Sequence, residues 1–268
     1  MISTRDIRRK IRTIRSIQQL CRAMKTVSLV KLQKAEARLT AARPFAVRMA
    51  RSLERLAGAL GEAFLSREGE KAVVVITSDK GLCGGYNAAV LRRAKKEVGG
   101  AQVIAIGRKG ERFFRRQGNP AVESLVPLGS EPTFAQIAPF ADKVAARLQS
   151  GEIAGLSAVH GRFLRGTRSE VIAEEIFPPG KVEEDIIFEP APAKMAEFLQ
   201  GRYLRAALYA AALEGSASEH GARVAAMTAA SDNADEMIDT LTMDYNRARQ
   251  ASITKELTEI VGSAEALR

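Results

Sequence analysis

The first 57 residues of the chain contain no glycine and a single proline, Pro44. Apolar side chains recur there at steps of three or four residues, namely Ile7, Ile11, Ile14, Ile17, Cys21, Met24, Val27 and Val30. This spacing lines one face of an α-helix, and a stripe of more than three heptads is typical of coiled coils. A helix from about Ser3 to Gly58 would be about 80 Å long. That length exceeds what a small domain can cover, and we expect Pro44 to bend or interrupt the helix.

The C-terminal part carries a second long stripe of this kind. Its members are Met227, Ala230, Ala234, Met237, Ile238, Leu241, Tyr245, Ala248, Ile253, Leu257 and Ile260. The alanines among them allow two helix backbones to approach closely. Because neither helix can bury its stripe alone, we predict an antiparallel coiled coil of residues 1–60 with residues 195–268.

Between the two stripes the pattern changes to alternating strands and helices. Buried strands are predicted at 71–77 and 101–106, helices at 88–98, 108–116 and 132–148, and a β-hairpin at 156–164 and 170–177. This alternation predicts a small, mostly parallel, Rossmann-like α/β domain over residues 71–190. The predicted fold class is therefore α/β plus long helices.

The net charge of +10 is unevenly distributed along the chain. Residues 1–60 carry +12, residues 214–268 carry −5, and the segment between them carries +3. Opposite charges at the two ends indicate either that the ends lie near each other or that each faces a different partner. A nucleic-acid or membrane-surface role for the basic helix is disfavoured because no aromatic residue precedes Phe45. An acidic protein surface is the better partner.

Other features exclude further classes of protein. No apolar run approaches the ~20 residues needed to span a bilayer, so direct membrane insertion is not expected. Cys21 and Cys83 are the two cysteines, too few for a disulfide framework, which favours a reducing, intracellular setting. The carboxylates Asp232, Asp235 and Glu236 lie at helical spacing with Asp239 and are interpreted as a solvated face.

The glycine-rich segment 81–85 follows a predicted strand and precedes a helix, where a phosphate-binding loop would lie. It contains neither G-x-G-x-x-G nor a Gly-Lys-Ser/Thr sequence, so a tight turn is the preferred interpretation. Cys83 could be a nucleophile only beside a base, and His160 and His220 are the two histidines in the chain. A small, half-buried residue is the better interpretation. We predict no catalytic residue, no cofactor and no metal site.

Three blocks of sequence, in order along the chain, resemble one known family. They are Arg5–Lys25 continuing through Lys31–Ala35, the turn Thr77–Asn87, and Ser218–Val261. Each is similar to the corresponding block of the γ subunit of the F-type ATP synthase, of the bacterial type. The resemblance spans essentially the whole chain.

The resemblance implies a non-catalytic rotor subunit of the central stalk. In that family the two terminal helices form a shaft inside a hexamer of α and β subunits, and the α/β domain contacts the ε subunit and the c-ring. Ion flow through the c-ring is coupled by rotation to ATP synthesis or hydrolysis in the hexamer. The resemblance thus implies binding of neither nucleotide nor nucleic acid, and a peripheral location on the cytoplasmic face of the cell membrane. The absence of a transit peptide favours a bacterial source.

The resemblance also assigns individual residues. Contacts with the α and β subunits are implied for Met24, Arg223, Gln250, Thr254, Glu256 and Glu259. Contacts with ε and the c-ring are implied for the turn residues Lys80, Gly81, Leu82, Cys83, Gly84, Gly85, Tyr86 and Asn87. For each of them the alternative is a solvated helix-face position or a turn residue that serves backbone geometry.

Three positions depart from the family pattern. Lys255 stands where Gln is common, and His220 and Gly221 stand where Gln and Ala are common. We expect Gly221 to weaken its helix by about 1 kcal/mol. The alternative function is a free-standing α/β nucleotide-binding protein whose basic helical arm binds nucleic acid.

Overall fold

The computed structural model describes residues 4–61, 64, 69–182 and 188–266. Two long helices lie at the ends of the chain, α1 (Thr4–Leu60) and α5 (Pro192–Ala266). Between them lie the elements β1 (Glu70–Ile76), α2 (Tyr86–Val98), β2 (Gln102–Ile106), α3 (Arg108–Arg116), β3 (Glu123–Leu125), α4 (Phe134–Gln149), β4 (Ile153–Arg165) and β5 (Arg168–Phe177). The predicted fold class, an α/β sheet with two long terminal helices, is confirmed.

The five strands form one sheet in the order β3-β2-β1-β4-β5. β3, β2, β1 and β4 are parallel, and β5 returns antiparallel beside β4 as the predicted hairpin. The three-residue strand β3 has no counterpart in the sequence-based prediction. It is too short for a periodic signal and carries one apolar side chain, Leu125.

Helices cover both faces of this sheet, which explains why five of the seven residues of β1 are apolar and buried. On one face, Val73, Val75 and Val103 pack with Val90 of α2 and Phe114 of α3. On the other face, α4 and the long helices contribute a larger cluster around Ile76, Ile104 and Ile106. Their contributions to it include Leu53, Ile137, Val144, Leu148, Leu204 and Leu208.

The described residues separate into two compact units. One unit contains the chain up to Val27 and from Ala226 onward, and the other contains Ser28–Ala225. Both long helices contribute to each unit. The division predicted from sequence, into segments 1–60, 71–190 and 195–268, stays a prediction.

The two long helices run antiparallel within the larger unit. Leu32, Ala35 and Leu39 of α1 form a buried cluster with Leu213 and Ala217 of α5. The small side chains of Ala35 and Ala217 allow the two helices to approach closely here.

Pro44 does not interrupt α1, which is continuous from Thr4 to Leu60. Proline removes one backbone hydrogen bond from a helix interior. The apolar face of α1 after Pro44 is buried at Leu53 and Leu56. Packing of that face stabilises the helix beyond the proline. The expected interruption is therefore wrong, and the expected bend stays a prediction.

Candidate functional site

The turn that follows β1, residues 77–87, is held closed by its own polar side chains. The side-chain oxygen of Asn87 accepts a hydrogen bond from the Ser78 amide at 3.1 Å, and its NH₂ group donates to Ser78 Oγ at 2.8 Å. Ser78 Oγ donates to the Lys80 carbonyl at 2.6 Å. The turn therefore has one defined backbone path between β1 and α2.

Asp79 ties this turn to two other segments. One carboxylate oxygen accepts the Arg108 amide at the start of α3, at 2.9 Å, and the other accepts the Gly129 amide, at 2.8 Å. Thr77 Oγ1 accepts the Gly110 amide at 2.8 Å. The amino end of a helix beyond a parallel strand is a common phosphate site, and here side chains of the chain itself bind those amides. Asp79 was not among the predicted site residues, although an acidic residue three positions after a buried strand was a signal for such a role.

A polar group on α5 lies against the same turn, and we call Glu219, His220, Arg223 and their partners Gly81 and Ser130 the Arg223 cluster. Arg223 donates to Glu219 at 2.5 Å and to the Gly81 carbonyl at 3.1 Å. His220 contacts the Ser130 carbonyl through Nε2 at 3.0 Å, and its Nδ1 lies 3.2 Å from Arg223 Nη1. Since Arg223 can only donate, the imidazole that fits both contacts is neutral, with its hydrogen on Nε2.

The crevice at the carboxyl ends of β1 and β4 is filled by the chain. In α/β sheets, ligands bind at the point where the strand order changes direction. That point lies between β1 and β4, since β1 leads to β2 on one side and β4 leads to β5 on the other. There, Tyr86 donates to the Gly215 carbonyl at 3.0 Å, and Ser218 Oγ donates to the Gly161 carbonyl at 2.9 Å. A Cβ atom at Gly161 would lie 2.7 Å from the Tyr86 ring. The arrangement anchors α5 to the sheet where another member of this fold class would bind a nucleotide.

The chemistry of Cys83 does not suit a nucleophile. Burial raises the pKa of the thiol, although nearby Arg223 lowers it in part. Its Sγ accepts a hydrogen bond from Asn87 at 3.1 Å, while His220 is bonded within the Arg223 cluster. Burial also raises the pKa of the Tyr86 phenol. Among the residues that the structure describes, no group of His, Cys, Asp and Glu could hold a metal ion.

Gly221 allows the β4–β5 turn to approach α5. A Cβ atom at this position would lie 3.3 Å from Thr167 Cα and 3.4 Å from the Thr167 carbonyl oxygen. The helix α5 is continuous through Gly221. The glycine therefore serves a close backbone contact, which the sequence pattern did not reveal.

The smaller compact unit, which contains the chain up to Val27 and from Ala226 onward, includes an antiparallel pair of helix segments. Polar contacts align the two segments. Arg8 donates to the Tyr245 hydroxyl at 2.6 Å, Gln18 donates to Asp235, and Arg22 forms an ion pair with Asp235 at 3.1 Å. The two contacts fix the register of the helices. Gln18 lies ten residues after Arg8 in α1, and its partner Asp235 lies ten residues before Tyr245, the partner of Arg8, in α5. At this register Thr4, the first residue of α1, is level with about residue 249.

Beyond that level α5 continues to Ala266 with no described residue of α1 beside it. We call residues 250–266 the overhang. It carries an apolar stripe of Ile253, Leu257, Ile260 and Val261, whose side chains are 48% to 65% exposed. Exposed apolar stripes of this kind mark contact surfaces for a partner. Four of the predicted contact residues, Gln250, Thr254, Glu256 and Glu259, belong to the overhang and are exposed.

The other predicted site residues have different surroundings. Met24 is half-buried on α1. Arg223 is 7% exposed and bonded to Gly81, so the structure joins two residues that the resemblance assigned to different partners. Of the turn residues, Cys83 and Tyr86 are buried, Asn87 is half-buried, and Lys80, Gly81, Leu82, Gly84 and Gly85 are exposed. The assignment of these residues to particular partners stays a prediction.

Residues 3–267 match a family model described as ATP synthase. Curated relatives named ATP synthase gamma chain align over the full length of both chains, with 40% identity in Moorella thermoacetica and 40% in Pelotomaculum thermopropionicum. The chain belongs to the ATP synthase gamma chain family. Membership confirms the resemblance of the three sequence blocks, and nothing in the comparisons supports a free-standing nucleotide-binding protein.

Solved structures similar to this gamma chain share its fold. One is from the rotor of the Euglena gracilis mitochondrial ATP synthase, with a TM-score of 0.71 and 18% identity, covering 93% of this chain and 98% of that one. Another is from the central stalk and c-ring of the Tetrahymena thermophila mitochondrial enzyme. It has a TM-score of 0.63 and 24% identity, and the match covers 79% of this chain and 99% of that one.

The stability of the gamma chain should depend on pH through His220. Burial is the main cause that lowers the pKa of this imidazole below 6.5. As the pH falls through 6.5 the unfolded chain therefore binds a proton that the folded chain does not, and the free energy of unfolding decreases. Lys31, Glu219 and Arg223 are the charged groups that act on it.

We expect the melting temperature of the wild type, relative to His220→Gln, to fall between pH 8 and pH 5.5. Thermal unfolding followed by circular dichroism checks this, and His160, present in both proteins, cancels in the difference. A difference independent of pH would contradict the role of His220.

Proposed function

We propose that this chain is the central-stalk rotor subunit of an F-type ATP synthase. It couples ion flow through the c-ring to ATP synthesis or hydrolysis in a hexamer of α and β subunits, and it carries no catalytic residue itself. The observation that supports this most directly is the overhang, a helix end about 25 Å long with an exposed apolar stripe. An exposed apolar stripe of this length indicates a partner protein that surrounds the helix.

The exposed positive charges of α1 also support a surrounding partner protein. Arg9, Arg12 and Arg15 lie on the exposed side of α1. The interhelical ion pair of Arg22 with Asp235 is itself more than half exposed, and such pairs contribute little to stability. Arg9, Arg12 and Arg15 are thus available to an acidic partner surface. Complementary charges of this kind steer association and set the orientation of the partners.

The proposed mechanism is differential contact with three β subunits. A ligand shifts a conformational equilibrium only through a difference in its interaction with the states. The two helices present different side chains on different sides, so each β subunit meets a different surface and takes a different affinity for nucleotide. Rotation of the helices moves these affinities around the hexamer.

Transmission of torque requires that the helices be fixed to the α/β sheet. The Arg223 cluster, the Tyr86–Gly215 hydrogen bond and the Ser218–Gly161 hydrogen bond provide this attachment within residues 28–225. Asp79 extends it to α3. The α/β sheet and α5 therefore resist a twisting load together.

We further propose the partner contacts of individual residues. Met24, Arg223 and the overhang residues Gln250, Thr254, Glu256 and Glu259 act toward the α and β subunits. Arg223 does so indirectly, because it is buried and holds Gly81 in place. The turn Lys80–Asn87 acts toward the ε subunit and the c-ring. The complex holds the chain peripherally at the cytoplasmic face of the membrane, and none of the described helices is long and apolar enough to span a bilayer.

Truncation of the chain after Tyr245 tests the role of the overhang. It removes the four apolar side chains of the stripe, each worth about 1.5–3 kcal/mol when fully buried. We expect the rate of ion-coupled ATP synthesis in vesicles to fall roughly tenfold or more. The folding of residues 28–225, followed by near-UV circular dichroism, should be unchanged.

A matched pair of triple variants separates the apolar stripe from the length of the helix. Changing Ile253, Leu257 and Ile260 to alanine should reproduce the loss, whereas changing Ser252, Thr258 and Ser263 to alanine should not. Normal coupling by both the truncated chain and the apolar triple variant would reject the proposed role of the overhang. Failure of the wild-type chain to co-purify with α and β subunits would reject the proposed function itself.

A further inference from the structure

Leu82 has an unusual backbone conformation. Its φ is +60°, and it is the one non-glycine residue with a positive φ among the described residues. The left-handed region brings the Cβ of an L-residue too close to the following carbonyl oxygen, so glycine or asparagine is ordinarily found there. A leucine at this position is strained.

The side chain of Leu82 lies at the surface. The Leu82 side chain is 61% exposed and belongs to none of the buried apolar clusters formed by described residues. Local strain in a folded protein persists where the surrounding structure enforces it, and such positions are concentrated at functional sites. An exposed leucine in a strained conformation is therefore a candidate contact residue.

The residues on either side of Leu82 are held in place. The Gly81 carbonyl accepts a hydrogen bond from Arg223 at 3.1 Å, and Cys83 Sγ accepts one from Asn87 at 3.1 Å. The carbonyl of Cys83 also accepts the Tyr86 amide at 3.2 Å. The leucine therefore projects from a fixed backbone, and binding through it requires little ordering of the turn.

Two exposed lysines belong to the turn and to the start of α3. Lys80 and Lys109 are exposed, and the Lys109 amide is bonded to the Ser78 carbonyl at 3.1 Å, which brings α3 against the turn. Neither lysine forms an ion pair within the described ranges. Asp79, the acidic residue of the turn, uses both carboxylate oxygens on backbone amides. The surface around the leucine complements an acidic one.

We propose that Leu82 is an anchor side chain that inserts into an apolar socket with an acidic rim on a partner subunit of the ATP synthase. This deepens the proposed function and rests on it, since the partner belongs to the same complex. Lys80 and Lys109 bind the acidic rim. In the isolated chain the strain at Leu82 remains, because the proposed contact forms only in the assembled complex.

The proposal has a test in which stability and assembly change in opposite directions. Leu82→Gly removes the anchor and the backbone strain together. We expect the melting temperature of the full-length chain to rise by about 2 °C. Exchange of fluorescently labelled chain out of a complex reassembled from α, β and ε subunits and the c-ring should become about tenfold faster. Leu82→Met, which keeps an apolar side chain, should restore most of the slow exchange.

Two controls sharpen the result. Leu164→Ala alters another exposed leucine, which lies on β4, and should leave the exchange rate unchanged. A photoreactive p-benzoylphenylalanine at position 82 should cross-link to one partner subunit, and mass spectrometry of the product should locate an apolar site flanked by acidic residues. Exchange of Leu82→Gly at the wild-type rate, or cross-linking to a basic surface, overturns the proposal. Because the wild-type complex must first assemble and couple, failure of the proposed function is seen separately.

Discussion

Replacing Arg223 with leucine should lower the free energy of unfolding by about 3 kcal/mol. The side chains of Arg223 and Glu219 are each 9% exposed, so the leucine variant leaves a buried carboxylate without its cation. The Gly81 carbonyl and His220 Nδ1 also lose their donor. An unpartnered buried polar group costs about 1–3 kcal/mol, and the turn beside β1 loses its attachment to α5.

Urea unfolding monitored by circular dichroism at pH 7.5 measures this effect. Arg22→Leu is the matched control, because it breaks an exposed ion pair with Asp235 and should change stability by less than about 1 kcal/mol. The double variant Glu219→Gln/Arg223→Leu removes the buried charge and should recover part of the loss. Equal stabilities of Arg223→Leu and Arg22→Leu would mean that the Arg223 cluster does not attach the turn to α5.

Gly161→Ala should destabilise the fold by about 1–3 kcal/mol, as expected for overpacking. The added methyl group would lie 2.7 Å from the Tyr86 ring and 2.8 Å from Ser218 Cβ. Tyr86 is a buried member of the cluster on one sheet face, and Ser218 belongs to α5, so neither can move away freely. The expected secondary effect is loss of the Tyr86–Gly215 and Ser218–Gly161 hydrogen bonds.

Gly201→Ala is the control for this variant. Gly201 lies inside α5, and a Cβ there would meet no atom within 4 Å, so alanine should stabilise the helix by about 1 kcal/mol. The two glycine-to-alanine changes are therefore expected to have opposite signs in thermal unfolding. A stabilising Gly161→Ala would show that α5 does not pack closely against β4.

The predictable part of the fold is the part with long periodic signals. The helix 108–116 was predicted with the bounds it has, and both long helices follow from stripes of many turns. β3 was missed because three residues carry no period. The helix continues past Pro44 because it is stabilised there by packing against residues that lie far away in sequence.

The candidate site was less predictable than the fold. The turn 77–87 was identified from its glycines and from the family resemblance, but the role of Asp79 was not, since its partners Arg108 and Gly129 lie 29 and 50 residues away. Similarly, Gly81 and Arg223 are separated by 142 residues. No local pattern in the sequence specifies such pairs.

The sequence alone determined the helical shaft, the alternating α/β segment and the family, because helix and strand periods and family motifs are properties of neighbouring residues. Only the tertiary structure decided that α5 fills the ligand crevice of the sheet, that Arg223 and Asp79 hold the turn, and that Leu82 projects from it under strain. These features arise where the chain folds back on itself. They depend on distances between residues that are far apart in sequence, which periodicity does not encode.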